Sequence, residues 1–144
     1  LRPVRAMTAC WIGVACAEHV RRGVAGGFMQ LCHGKSGPVV RVKPGDRVAC
    51  YAPSERMGGR DGLRSFVALG TVRDGVPHQV EMAPDFRPWR RDMDWAGARV
   101  AAITPLLPLM VWSRDGDWGA KLRFGLVRIS AEDMGVIAGA MEPN

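Results

Sequence analysis

The sequence predicts an α+β domain made of many short strands, and three observations predict it. Apolar and small or polar residues alternate over short runs, as they do in strands with one buried face. Turn-forming groups punctuate these runs: Lys43-Pro44-Gly45-Asp46, Asp74-Gly75 and another Asp-Gly at 115–116. Helical spacing appears only in brief stretches near the start and at the end of the chain. No repeat is present and no linker divides the chain. The simplest arrangement is a small curled or barrel-like mixed sheet with helices plugging its ends.

Cys10–Ala15 is the first strand, with Cys10, Ile12 and Val14 on one face and Trp11 on the other. Ala17–Val24 is a short helix; Val20 and Val24 lie four apart, and His19, Arg21 and Arg22 point outward. Gly26-Gly27 ends it. Phe28–Cys32 reads as a helical turn. Arg47–Ala52 is a strand that carries Val48, Cys50 and Ala52 on one face and Tyr51 on the other. Ser54–Leu63, rich in Gly and Arg, is a loop. Arg64–Arg73 alternates with Phe66, Ala68, Gly70 and Val72 on one side. Asp74-Gly75 then predicts a two-residue hairpin to a partner strand at His78–Met82. Arg99–Ile103 is a short strand and Pro105–Met110 a helical turn started by proline. Ser113–Gly119 is a polar loop, and Lys121–Ile129 the last strand. Ser130 is an N-cap with Asp133 at the third helical position, close to a capping box. The closing helix buries Met134, Ile137, Ala138 and Met141.

The 144 residues suffice for one domain with a core, expected over residues 10–144 behind an N-terminal extension at 1–9. Hydrophobic content of 47% and charged content of 24% are ordinary for a globular protein. No apolar run approaches the ~20 residues of a membrane span. Leu1–Met7 is short and carries Arg2 and Arg5, so no secretion signal is read there, and Met7 is a candidate initiator. The four cysteines make no C-x-x-C pair, which argues against a zinc finger or a thioredoxin motif. Reduced thiols in a cytoplasmic protein are expected. A net charge of +6 favours a polyanionic partner. Lysine occurs only at 35, 43 and 121, so most of the positive charge is arginine, which genome composition can also produce.

The stretch from Gly26 to Pro38 places Phe28, Gln30, Cys32, His33, Gly34 and Lys35 between glycines and a proline. Residues of both core and surface character in one short segment point to the wall of a cavity. Four chemistries compete for it. Gly34-Lys35-Ser36 copies the end of a phosphate loop, but that loop needs glycine at position 29, which is Met. Cys32 and His33 could ligate a metal, but neighbours seldom point at one ion, and His19 and His78 lie in unrelated elements; no metal and no cofactor are expected. Cys32 could be a nucleophile with His33 or His78 as base, but no oxyanion device or acidic orienter accompanies it. The fourth is a pocket for a flat polar ligand. Trp11, Tyr51 and Trp89 would stack on a ring, while Gln30, Ser54 and glycine-turn backbone read its edge. Arg87, Arg90 and Arg91, interleaved with Phe86 and Trp89, would hold phosphate. The plain competing reading keeps Trp11 and Trp89 as core and the arginines as a solvated face.

Ten ordered blocks then resemble the EVE domain family. They are Trp11-Ile12-Gly13-Val14, Glu18-His19-Val20, Gly23-Val24 with Gly26-Gly27-Phe28, Gln30 with Cys32-His33-Gly34-Lys35, Gly37-Pro38 and Lys43-Pro44-Gly45-Asp46. They continue with Tyr51, Pro53 and Glu55-Arg56, then Phe66, Ala68 and Gly70, then Phe86, Pro88 and Arg90-Arg91-Asp92, and finally Arg123-Phe124-Gly125. The blocks run from Trp11 to the final helix. The resemblance implies a PUA-like fold, a small mixed β-barrel with flanking short helices and a C-terminal helix, related to the YTH domains that recognise methylated adenine. It also implies a non-enzymatic reader of a modified base, a modified cytosine or related base, in DNA or RNA. By resemblance the pocket draws on Trp11, the Gln30–Lys35 turn, Tyr51, Pro53, Ser54 and the Arg90-Arg91 segment. Ala52 stands where the pattern leads one to expect Ser, and Trp89 where Phe is frequent. The alternatives kept open are a small enzyme using Cys32 on a nucleotide-like substrate and a general RNA-binding accessory domain.

Overall fold

The computed structural model describes residues 8–143. Most of the expected extension, including Met7, lies outside them. Eight strands alternate with short helices in the order β1 (Cys10–Val14), α1 (Ala17–Gly26), β2 (Phe28–Met29), α2 (Ser36–Arg41), β3 (Arg47–Ala52), β4 (Ser65–Val72), β5 (His78–Gln79), β6 (Trp89–Trp95), β7 (Ala101–Ala102), α3 (Trp118–Leu122), β8 (Leu126–Ile129) and α4 (Ala131–Ala140). Tight 3-10 turns occupy Cys32–Gly34 and Thr104–Leu109.

The strands pair in the order β2-β6-β4-β3-β1-β8, with β5 added to β6 and β7 to β4. The expected barrel is not what forms: among the described residues nothing pairs β2 with β8, so the sheet is open. β1 and β3 run parallel, and the crossover between them carries α1, β2 and α2. The other named pairs are antiparallel.

The sheet divides two apolar clusters, which fixes what each strand must bury. One holds Ile12, Ala49, Tyr51, Phe66, Ile103, Met110 and the Met134, Ile137 and Met141 stripe of α4. The other holds Trp11, Val20, Met29, Leu31, Val48, Cys50, Ala68 and Met93, beneath α1 and α2. The faces of β1 and β3 follow the alternation read from the sequence. Those of β4 do not. The register slips beside Cys50, which pairs with Ala68 while Tyr51 pairs with Phe66. Val67 is the extra residue of a bulge, and the bulge turns Phe66 onto the face opposite Ala68 and Val72.

Further expectations are corrected by long-range pairing. Phe28–Met29 is extended rather than helical, because it hydrogen-bonds along Asp92 and Arg91 of β6. Asp74-Gly75 is not a hairpin turn. β4 and β5 run past it along the same partner: Val72 opposes Met93, and His78 opposes Arg90. The reversal comes later, where Met82 N–H and Ala83 N–H donate to the Phe86 carbonyl and Phe86 N–H donates to Ala83. Of the expected strand at Lys121–Ile129, only Leu126–Ile129 is extended. Trp118–Leu122 is a helical turn instead, since four-residue spacing lets Trp118 meet the Tyr51 ring edge-on at 6.5 Å while Leu122 is buried. The capping reading stands: Ser130 Oγ accepts from Asp133 N–H at 3.1 Å.

Candidate functional site

α1 ends at Gly27, whose φ of 76° suits glycine, and the chain turns back as β2. Gln30 and Leu31 follow, and then three consecutive left-handed residues: Cys32 at φ 50°, His33 at 58° and Gly34 at 80°. Two of these are not glycine, a conformation sustained only where the surroundings enforce it. The enforcement is visible. Gly34 lies so close to Pro88 that a Cβ there would sit 2.7 Å from the proline Cα. The Cys32 thiol fills the space that a Cβ on Gly125 would need.

This turn walls a cavity of about 340 Å³ at the C-terminal end of β1. Val14, Ala15 and Cys16 form its floor, and His19 and Arg22 of α1 one side. Gln30, Cys32 and His33 form another, and Met57, Met82 and Phe86 the rim. Gln30 is buried at 4% exposure. Its Oε1 accepts from Arg90 Nε at 3.0 Å, which assigns the amide, and its Nε2 has no hydrogen-bond partner among the described residues. Arg90 is held in turn above the Phe28 ring, its Cζ 3.7 Å from the centroid. The pKa of His19 is lowered, first by burial and then by Arg22; a main-chain hydrogen bond with Gln30 opposes this. Burial also lowers Arg90, which stays charged.

The other expected site residues separate. Gln30, Cys32 and His33 line the cavity, and Gly34 sets their turn. Lys35 is exposed and outside the lining. Trp11 lies in a different groove of about 400 Å³ with Thr8, Arg41, Lys43, Asp46 and Arg128. Tyr51 and Pro53 line a third depression with Trp118 and Arg123. Tyr51 is packed edge-on against Phe66 at 5.7 Å, and burial raises its pKa. Ser54 is buried, and its Oγ donates to the Arg56 carbonyl at 2.6 Å to fix the chain beyond β3. Trp89 is half-buried against the second apolar cluster. A single cavity shared by Trp11, Tyr51 and the Gln30–Lys35 turn is therefore not formed.

The arginine row divides for the same reason. Strand alternation sends Arg90 and Arg91 to opposite faces. Arg91 is buried with its Nη2 on the Gly75 carbonyl at 3.0 Å, and burial lowers its pKa. Arg87 alone of the three is exposed. The sequence reading missed His19, Arg22, Cys16, Met57 and Met82. Helix periodicity alone turns His19 and Arg22 outward, because it does not show that β2 folds back beside them. Phe86 was marked by its arginine and proline neighbours and not placed at the rim. No group of three or more Cys, His, Asp or Glu able to hold a metal occurs among the described residues. All four cysteines are free, and complete burial pushes the Cys50 thiol up to about 12.

Fold and site together define a small α+β domain with an open mixed sheet, a cavity of ligand size beside the C-terminal end of β1 and a basic groove at the same strand's other end. The chain belongs to the EVE domain family, whose pattern it matches over residues 9–140. It is 50% identical to a UPF0310 protein of Mesorhizobium japonicum over 94% of this chain and 93% of that one. It is 41% identical to a UPF0310 protein of Mycolicibacterium vanbaalenii over 91% of each. Among solved structures, a hypothetical protein of Leishmania major superposes with a TM-score of 0.59 at 10% identity, covering 91% of this chain and 92% of that one. The NMR structure of a Rhodopseudomonas palustris protein gives 0.57 at 13% identity over 92% of each. These two likenesses concern fold alone. Among the described residues no helix is long and apolar enough to cross a membrane.

Proposed function

We propose that the cavity beside the Gln30–Gly34 turn holds a modified nucleobase, a modified cytosine or a related base, carried by DNA or RNA. On this reading the protein is a non-enzymatic, cytoplasmic reader. The observation that carries it is Gln30. A buried donor without a partner costs roughly 1–3 kcal/mol. Here the amide cannot turn to relieve it, because Arg90 already occupies Oε1. Nε2 is itself sealed from solvent, so a ligand with an acceptor on its edge, such as a pyrimidine carbonyl, supplies the missing partner once the Gln30 side chain shifts toward the cavity. The size agrees, since about 340 Å³ is at the lower end of small-molecule pockets, roughly 300–1,000 Å³. Phe86 gives a planar apolar surface, with Met57 and Met82 as adaptable neighbours. The net charge of +6 suits a nucleic-acid carrier. Base contact passes from Trp11 and Tyr51 to Gln30, His19 and Phe86, and of the arginine row Arg87 is the one free to meet phosphate.

A thermal-shift panel of modified nucleosides, followed by titration of matched modified and plain oligonucleotides, tests this. Gln30→Leu should weaken the modified ligand by about ten- to a hundredfold, the value of one buried hydrogen bond. The salt dependence of binding should stay put. Equal affinity for modified and plain strands would instead make the domain a general RNA or DNA binder. Cys32 packs against Phe124 and Gly125, its Sγ 4.0 Å from the Phe124 carbonyl. Iodoacetamide should therefore modify it no faster than an ordinary thiol. Unusually fast alkylation, blocked by nucleotides, would sink the non-enzymatic reading.

A further inference from the structure

The groove at the N-terminal end of β1 takes no part in that reading. Its floor is Trp11, whose ring carries two guanidiniums: Arg41 Cζ lies 5.4 Å from the centroid and Arg128 Cζ 5.8 Å. The two carbons are therefore no further apart than the sum of those distances. They come from elements far apart in sequence. Arg41 ends α2, while Arg128 lies on β8 directly opposite Trp11 in the register. Lys43 is the third cation in the wall, with its Nζ on the Val40 carbonyl at 3.1 Å. All three are exposed, and among the described residues none has a carboxylate within ion-pair distance.

The groove does contain one carboxylate, Asp46, but it is buried and occupied. Its oxygens accept from Ala9 N–H, Lys43 N–H and Trp11 Nε1, each at 2.9 Å. It fixes the tryptophan and the turn, and with three cations to this one carboxylate the groove keeps a net positive charge. Trp11 is thus not a stacking surface for a base, because arginines cover it. It is a rigid platform that orders two planar, always-charged groups, and ordering them beforehand lowers the entropic cost of binding an anion.

We propose that this groove binds a backbone phosphate of single-stranded nucleic acid, clamped between Arg41 and Arg128 with Lys43 at its edge. The groove and the cavity lie along the same strand. Trp11 and Val14, one in the floor of each, are three residues apart, about 10 Å at the strand rise. A strand gripped here would present a nearby nucleotide to the cavity. The groove's own function does not depend on that cavity, since every nucleic-acid strand carries phosphates.

The test uses the full chain and an unmodified single-stranded oligonucleotide, with affinity measured by fluorescence anisotropy across a salt series. Arg41→Gln and Arg128→Gln should each lower the slope of log affinity against log salt, and the double variant should lower it by about 0.7, the value for one phosphate contact on a single strand. Arg41→Lys and Arg128→Lys should keep most of the slope. Arg99→Gln, whose Nε is bonded to the Ala140 carbonyl away from the groove, should keep all of it. Should the glutamine variants fail to fold, Lys43→Glu at an exposed position is read by the same slope. Three outcomes would overturn the proposal: a wild-type slope in the double variant, an equal fall in Arg99→Gln, or no binding of the plain strand at low salt. Nucleoside binding in the cavity is a separate readout. Its loss with an unchanged groove slope would fault the base pocket and leave the groove standing.

Discussion

The cavity and the groove sit at opposite ends of β1 and solve different problems with different chemistry. The cavity is walled by a left-handed turn and by half-buried and exposed side chains around buried Gln30, whose Nε2 has no partner among the described residues. The groove has a fully satisfied carboxylate at its base and long exposed cations at its lip. Discriminating between similar bases requires a fixed group whose alternative partner is nothing, because only then does a missing ligand atom cost the whole bond. Holding a phosphate requires charge and tolerates solvent. A residue's type does not settle which role it plays: Arg90 spends its guanidinium on Gln30 and Phe28, whereas Arg41 and Arg128 are positioned for something outside the chain.

The largest expected effect breaks the cavity and leaves the groove intact. Gly34→Ala places a methyl group against Pro88 in a backbone of φ 80°. Overpacking and left-handed strain together should cost about 3 kcal/mol. Thermal unfolding should fall by roughly 10 °C. Gly37→Ala, with open space around it and no positive φ, should melt like the parent. Equal melting of the two variants would mean that the turn is not held as described.

The reverse experiment damages the groove. Asp46→Ala removes the partner of Trp11 Nε1, a buried donor, and two main-chain bonds. Stability should fall by about 2 kcal/mol in urea unfolding. Nucleoside affinity, normalised to folded protein, should hold. If it drops in parallel, the two regions are one cooperative site and the comparison fails.

The smallest effect sharpens the contrast by pH. Burial lowers the pKa of His19 from its ordinary 6.5. Between the unfolded and folded values the unfolded chain takes up a proton that the folded chain refuses, so stability rises with pH there. The contribution is fully present above about 6.5 and is lost as pH falls through that value toward the lower folded one. His19→Gln should flatten this acid-side decline in unfolding titrations. No histidine lines the groove, so Arg41→Gln and Arg128→Gln should leave it unchanged.

Much of this molecule was legible in the chain because the forces concerned act between near neighbours. Ser130 caps its helix from three residues away, the two faces of β1 and β3 follow from side-chain alternation, and Gly27 ends α1. The mixed core and surface character of Gly26–Pro38 marks the Gln30–Lys35 turn as a cavity wall, and of that turn Gln30, Cys32 and His33 line the cavity. What the sequence could not carry was partner choice. Asp74-Gly75 has the composition of a hairpin turn, yet β6 binds the strands on both sides of it, so the reversal falls ten residues later. One unpaired residue, Val67, moved Phe66 across the sheet. The strand face of Trp11, its aromatic ring and the family resemblance together point it to the base pocket. Its place was decided by Asp46, 35 residues away, and by Arg41 and Arg128. Gln30 and Arg90, 60 residues apart, meet only because β2 pairs with β6. Periodicity and capping are properties of a segment and can be read along it. Register, bulges and the isolation of a buried donor depend on which segments pair, and they are fixed only when the whole sheet is assembled.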